Sequence, residues 1–255
     1  MSANILKLIA CITMMLDHVG YLMQSYGIGN YDTANLLRLI GRIAFPIFAF
    51  LIAEGFKHTR NVVFYTGRLL LAGLISEIPY NLCFHKSLIY KPSLNVMFTL
   101  AAALVALIFA DMCLKSSKKE VRFLFALPIF AACYFADKFG MDYGYWGIIL
   151  IFLFYLIDGD SVQKKLLLLP VILLFAARRV IESFIAGSVL SDWNKMQLFA
   201  LLAFLPLALY NGKVGNAKSK NARKVKQYLF YLFYPVHMLL LYVIFSNIGK
   251  MIAFF

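Results

Sequence analysis

Charged side chains are scarce in this chain: Asp, Glu, Lys and Arg make up 15% of its 255 residues, against about a quarter in soluble domains. Cysteines number four, at Cys11, Cys83, Cys113 and Cys133, with no CxxC spacing. That excludes a disulfide framework or a zinc ribbon and leaves buried free thiols as the expectation. The histidines never stand three to five residues apart, so no metal-ligand pattern is present. GxxxxGK[ST] and GxSxG are absent too, so ATPase and hydrolase readings have no motif to lean on. No internal repeat suggests inverted halves. No linker or low-complexity stretch divides the chain, so a single domain over 1–255 is expected.

What the chain has is apolar length. Hydrophobic residues form 62% of it and the mean hydropathy is +0.79. Apolar runs of about 18 residues or more recur, each long enough to cross a hydrocarbon core of roughly 30 Å. They lack the strict alternation of barrel strands, and a lipid-embedded backbone must satisfy its own polar groups, so helices are required. The fold class expected is all-α, a polytopic transmembrane helical bundle of about nine spans, with a range of eight to ten. The spans are Asn4 to Gln24, Asn35 to Gly55, Val62 to Leu82, Leu94 to Leu114, Val121 to Asp137, Tyr145 to Ile157, Lys165 to Ile185, Lys195 to Tyr210 and Gln227 to Ile248. The first carries Asp17 and His18 and no small-residue cleavage site, so it reads as retained. The polar segment Asn211 to Lys226 reads as the most mobile loop.

A formal charge of +13 could suggest nucleic acid. Lys and Arg instead gather in short loops, after spans two and four and before spans seven and nine, as the positive-inside rule demands. Nucleic acid is therefore not an expected partner, whereas membrane lipids are. With nine spans these loops share one side, and the N-terminus is expected to be cytoplasmic. Lys86 and Lys91 are the weaker exceptions. The cell membrane, here a bacterial cytoplasmic membrane, is the expected location. Ala101 to Ala103 permit close helix contact within one chain or between copies, so a homo-oligomer is also among the expectations.

Ionisable residues inside spans are expensive and therefore informative. Asp17 and His18 lie two-thirds along the first span. Arg38 and Arg42 share a face of the second. Glu77 and Asn81 repeat that spacing in the third, Arg178, Arg179 and Glu182 fall past the middle of the seventh, and His237 lies near the middle of the ninth. These depths are comparable, so the groups could face one cavity. Such a set suits proton transfer on a bound substrate, with arginines holding an anion or stabilising developing negative charge. Neighbouring helical residues point about 100° apart, so Asp17 need not touch the His18 ring and can pair with a span-two arginine. The structural alternative is that the arginines and carboxylates only neutralise one another. Histidines give no permanent countercharge, which favours function for His18 and His237. His58 reads as solvated, His85 as a loop residue and Glu54 as a local ion pair with Lys57. The stretch from Gly140 to Gly147, containing Asp142 and Tyr143, reads as an interfacial aromatic turn at the cavity mouth.

Seven segments occur in order along nearly the whole chain: LKLIACITMMLDHVG (Leu6 to Gly20), LLRLIGRIAFPIFAFLIAEGFKHTRN (Leu36 to Asn61), LISEIPYNL (Leu74 to Leu82), LNVMFTL (Leu94 to Leu100), DYGYWG (Asp142 to Gly147), LYNGKVG (Leu209 to Gly215) and YLFYPVHMLLLY (Tyr231 to Tyr242). Together they resemble the TraX family. The resemblance implies a multi-spanning acetyltransferase taking acetyl from acetyl-CoA, with pilin N-terminal acetylation associated with the family's namesake. It makes His18 the first candidate for general base or acyl carrier, Asp17 its electrostatic partner and His237 the second catalytic candidate. Arg38, Arg42, Arg178 and Arg179 become the candidates to hold acetyl-CoA, and Glu77, Asn81, Asp142 and Tyr143 those to hold the acceptor. That acceptor is an amine or hydroxyl of unspecified identity. A proton-coupled transporter built on the same residues, and a non-catalytic assembly factor, are the competing readings.

Overall fold

A computed structural model describes residues 1–157, 165–215 and 220–254. Helices dominate: α1 (Ala3–Tyr26), α2 (Tyr31–Gly41), α3 (Ala44–His58), α4 (Val62–His85), α5 (Val96–Leu114), α6 (Lys119–Phe123), α7 (Ala126–Lys138), α8 (Gly144–Leu156), α9 (Leu168–Ile185), α10 (Asp192–Met196), α11 (Phe204–Ala208) and α12 (Lys220–Phe254). A 3₁₀ helix, Gln197–Ala203, joins α10 to α11. No strand occurs among the described residues; a single bridge links Leu94 and Met141.

Every expected span coincides with helix. Five segments, Ala3–Tyr26, Tyr31–His58, Val62–His85, Val96–Leu114 and Lys224–Met251, are long and apolar enough to cross a membrane by length and composition. Four spans differ from expectation, the fifth because it breaks at Leu124 and Phe125 between α6 and α7. The second span breaks between α2 and α3, where Arg42 and Ile43 donate to the carbonyls of Leu39 and Ile40 in tight three-residue turns. The eighth is split between α10, the 3₁₀ helix and α11. The last helix begins at Lys220, seven residues before the apolar run, because its basic first turns are compatible with helix although not with lipid. Of the loop expected over Asn211 to Lys226, residues 216–219 lie outside the described residues. Asn211 to Gly215 are held by the chain's first residues: Ala3 N–H donates to the Lys213 carbonyl at 2.8 Å and Asn4 N–H to that of Val214 at 3.1 Å.

The chain groups into two compact units, each discontinuous in sequence. The first comprises Met1–Phe48, Ile78–Leu88 and Gly159–Phe255. Its most extensive packing is α1 on α2, and glycine decides how closely they approach. A Cβ on Gly20 would lie 2.6 Å from the Ala34 carbonyl oxygen and 2.8 Å from Arg38 Cγ, and one on Gly41 would overlap the Asp17 side chain. Lipid offers no hydrophobic drive between helices, so contact of this closeness is what holds them together. Ile5, Leu8, Ile12 and Met15 repeat at helical spacing on the opposite, exposed side of α1, while Ala3, Leu6, Ala10 and Met14 are buried.

The same unit packs α1 against α12. Lys7 Nζ lies over the Phe230 ring, His18 meets His237, and Tyr26 meets Phe245. Positions rising along α1 match positions rising along α12, so the two helices run in the same sense.

The second unit comprises Ala49–Glu77 and Ile89–Asp158, with α5, α7 and α8 packed on one another. Leu94 is clasped by the turn after α7: its N–H donates to the Gly140 carbonyl and its carbonyl accepts from Asp142 N–H, at 3.0 and 2.9 Å. That turn needs left-handed backbone at Gly140 (φ 58°), where a Cβ would strike the Pro92 carbonyl. Tyr143 (φ 63°) is left-handed without being glycine, the kind of local strain found where a side chain must be aimed. Glu54 forms the local pair expected, with Lys57 at 3.5 Å, and His58 is solvated.

Candidate functional site

Parallel packing of α1 on α12 brings together two histidines 219 residues apart. His18 Nδ1 and His237 Nε2 are 2.8 Å apart. His237 is buried, and its Nδ1 lies 2.7 Å from the Phe233 carbonyl oxygen one turn earlier. A carbonyl can only accept, so His237 Nδ1 carries a hydrogen and, in the neutral ring, its Nε2 is an acceptor. His18 Nδ1 must then donate to it. One tautomer pattern therefore satisfies two neutral rings, and it leaves His18 Nε2 as the bare lone pair. Nε2 has no hydrogen bond among the described residues. Aromatic walls fix both rings: Phe84 meets His18 edge-on at 4.9 Å, and Phe233 stacks on His237 at 4.6 Å.

Asp17 turns the other way. Its carboxylate takes Arg42 Nη2 directly and lies 3.9 Å from Arg38 Nε. The Gly41 contact makes this geometry available, since any side chain there would displace Asp17. Arg42 Nε also donates to the Arg38 carbonyl at 3.2 Å. Arg38 Nη1 donates to Gln24 Oε1 at 2.7 Å, and Gln24 Nε2 donates to Asn35 Oδ1 at 2.6 Å. The Arg38 guanidinium lies over two rings, 4.0 Å from the Trp193 centroid and 5.3 Å from that of Tyr21. Trp193 also covers Arg42 at 5.2 Å. Two arginines thus share one carboxylate beside the histidine pair.

The remaining candidates are distributed unequally. Arg178 is buried with its guanidinium 4.1 Å over Phe175, itself stacked on Phe45. Arg179 is half exposed and pairs with Glu182 at 3.2 Å. Asn81 is buried, and its Oδ1 meets no donor among the described residues. Glu77, Asp142 and Tyr143 belong to the second unit, whereas Asn81, one turn beyond Glu77, belongs to the first. Glu77 Oε2 accepts from Asn95 Nδ2 at 2.6 Å, and the same Nδ2 donates to the Gly73 carbonyl at 2.9 Å. Asn95 Oδ1 meanwhile caps α5 by accepting from Met97 N–H at 3.1 Å. Asp142 Oδ1 accepts from Tyr143 N–H, and its carbonyl accepts from Thr99 Oγ1. His85 ends α4 against Tyr80 instead of standing in a loop.

Sequence reasoning missed Trp193, Gln24 and Lys7. Trp193 sits on a five-residue helix capped by Ser191, and nothing in its neighbourhood signals an arginine partner. Lys7 was readable: Lys7, Cys11, Met14 and His18 follow helical spacing on one face of α1. Lys7 makes no ion pair or hydrogen bond among the described residues, and it approaches the Phe230 ring at 5.4 Å.

The TraX protein family model matches residues 2–245. A curated relative, the probable fimbrial assembly protein FimC, serogroup H1, of Dichelobacter nodosus, is 36% identical over 249 residues, covering 94% of each chain. No solved structure matches.

Proposed function

Because the chain belongs to the TraX family of membrane proteins, we propose that it transfers an acetyl group from acetyl-CoA to an amine of an envelope acceptor. The observation that carries this reading is the directed chain from His18 to His237 to the Phe233 carbonyl, with His18 Nε2 left bare. That atom takes the proton from the acceptor amine as nitrogen attacks the acetyl carbon. The carbon–sulfur bond then breaks, the electron pair leaves on the coenzyme A sulfur, and the protonated His18 returns the proton to that thiolate. His237 holds the imidazole in the required tautomer and shares the charge it gains. The same Nε2 would be the carrier in a two-step route through acetyl-histidine.

Lys7 lies eleven residues before His18 on the same face, about 16 Å along the helix. The arm between thioester and diphosphate in acetyl-CoA is about four residue-equivalents, roughly 14 Å extended. Lys7 is therefore suited to the donor's phosphates, with Arg178 a further buried cation for that ligand. Arg179, paired at the surface with Glu182, has less to offer. The relative's role in fimbrial assembly favours a fimbrial subunit's N-terminal amine as the acceptor.

The test is turnover of radiolabelled acetyl-CoA by the full chain in nanodiscs, offered peptide amines and amino sugars. Label transfer that disappears in a folded His18→Ala variant is the expected result. Wild-type protein that neither binds nor deacetylates acetyl-CoA would end the enzyme reading.

A further inference from the structure

The acetyl-transfer reading leaves one group beside the histidines without an assigned task. Arg38 uses a single one of its five N–H groups on a described residue, the bond to Gln24. Its Nε is buried and unbonded, and the nearest carboxylate oxygen, on Asp17, lies at 3.9 Å and already serves Arg42. The guanidinium is nevertheless fixed, placed over the Trp193 and Tyr21 rings and oriented through Gln24 and Asn35. Stacking fixes the plane of an arginine while leaving its in-plane donors free for an oxyanion. The group Asp17, Arg38 and Arg42 keeps one net positive charge in a span, where an uncompensated charge is costly.

The identity of the anion follows from the place of Arg38 against the turn of α1 that carries His18. Arg38 reaches Asp17, the residue next to His18. With the acetyl group at His18, the first phosphate of acetyl-CoA lies a full pantetheine arm away, roughly 14 Å. The donor therefore has no anion to offer at Arg38, whereas the acceptor does if it carries one close to its reacting amine.

We propose that Arg38, walled by Trp193, binds a carboxylate or phosphate carried by the acceptor, which makes the acceptor an acidic amine or amino sugar. This rests on the acetyl-transfer reading only for the word acceptor; the binding site itself stands on the geometry. Trp193 acts as a positioning residue. It is 40% exposed on a short helix tied to α9 by the bond from Asn194 Nδ2 to Ser183 Oγ, 2.6 Å, so the ring is held over Arg38 while one part of it stays open to a ligand.

The test uses full-length protein in neutral maltoside detergent with two matched probe pairs. One pair is tetrapeptides with a free N-terminal amine and Glu or Gln at the second position; the other is glucosamine 6-phosphate and glucosamine. Direct binding is measured without acetyl-CoA, and acetylation with it. The acidic member of at least one pair is expected to bind about tenfold tighter, and Arg38→Gln should abolish that preference while leaving the KM for acetyl-CoA unchanged. Trp193→Ala should raise the acceptor KM severalfold at similar kcat, and Trp193→Phe should restore it. Equal binding of both members in both pairs overturns the proposal. So does an Arg38→Gln effect on acetyl-CoA KM, which would place the donor's phosphate there, or an equal fall in kcat for both probes, which would make Arg38 a transition-state group. Inhibition by added phosphatidylglycerol that is identical for acidic and neutral probes would assign the site to a lipid phosphate instead. Binding preference without any acetylation would leave the anion site standing and remove the enzymatic reading.

Discussion

His18 donates from Nδ1 to His237 Nε2 across 2.8 Å, and His237 in turn donates to the carbonyl of Phe233. A carbonyl at the end of such a chain fixes direction without adding charge. It orients a base as a carboxylate would, yet gives less stabilisation to the imidazolium formed during turnover. The anionic group nearest in sequence, Asp17, is committed to Arg42.

His18 and His237 should therefore respond differently to substitution. His18→Gln removes the bare lone pair and is expected to lower kcat by about 10²–10⁴-fold, the usual contribution of a general base. His237→Gln keeps an acceptor near His18 Nδ1 and should be milder, with acetyl-CoA KM unchanged in both. Steady-state kinetics of the two purified variants decides this. Equal losses in both would mean that the rings exchange roles or act as one unit.

The close approach of α1 and α2 should tolerate no side chain at Gly41. Gly41→Ala pushes on Asp17, and overpacking of this kind typically costs about 1–3 kcal/mol. Gly67, in α4, has nothing within 4 Å of an added Cβ, so Gly67→Ala is the control and should be neutral or slightly stabilising. Thermal unfolding in detergent reads both. An unchanged melting temperature in Gly41→Ala would show that the helices can separate there at little cost.

Much of this was legible in the sequence, for physical reasons that also mark its limits. Apolar run length fixes where helices lie, because lipid leaves the backbone no alternative; the first, third and fourth spans therefore end within about three residues of expectation. The break after Gly41 was hidden, since neither Arg42 nor Ile43 is a residue that interrupts a helix. The pairing of His18 with His237 could not be derived, because helix order says nothing about which distant spans touch. The option that Asp17 pairs with a span-two arginine followed from the 100° step between neighbours, and that is the contact found. A shared cavity for all the polar groups was an expectation from equal depth, which helix spacing alone supplies. Glu77 meets Asn95 within the second unit.

That placement gives Glu77 a structural task which can be separated from chemistry. Its carboxylate accepts from Asn95, the residue that caps α5. Glu77→Gln retains a carbonyl oxygen for that bond and should leave stability nearly unchanged, whereas Glu77→Ala leaves a buried amide hydrogen without its acceptor, costing about 1–3 kcal/mol. Melting temperatures of the two variants test the cap. If Glu77→Gln folds normally but loses acetyl transfer, the carboxylate itself takes part in handling the acceptor.

The ion pair between Asp17 and Arg42 offers the sharpest separation of folding from catalysis. Removing the carboxylate alone, in Asp17→Asn, leaves two arginines in the span with no anion between them, and breaking a buried pair in this way costs about 3–5 kcal/mol. Arg42→Gln alone should be milder, because Asp17 can still turn to Arg38, which already lies within 3.9 Å. Asp17→Asn combined with Arg42→Gln removes one charge of each sign and should recover part of the loss, a coupling visible in a double-mutant cycle of unfolding free energies. Acetyl transfer by the double variant then decides what Asp17 does. Activity retained at near wild-type kcat would make the carboxylate a scaffold for the arginines. Activity lost in a protein that folds as well as wild type would mean that its charge acts on His18 through space, and that the histidine relay alone is insufficient.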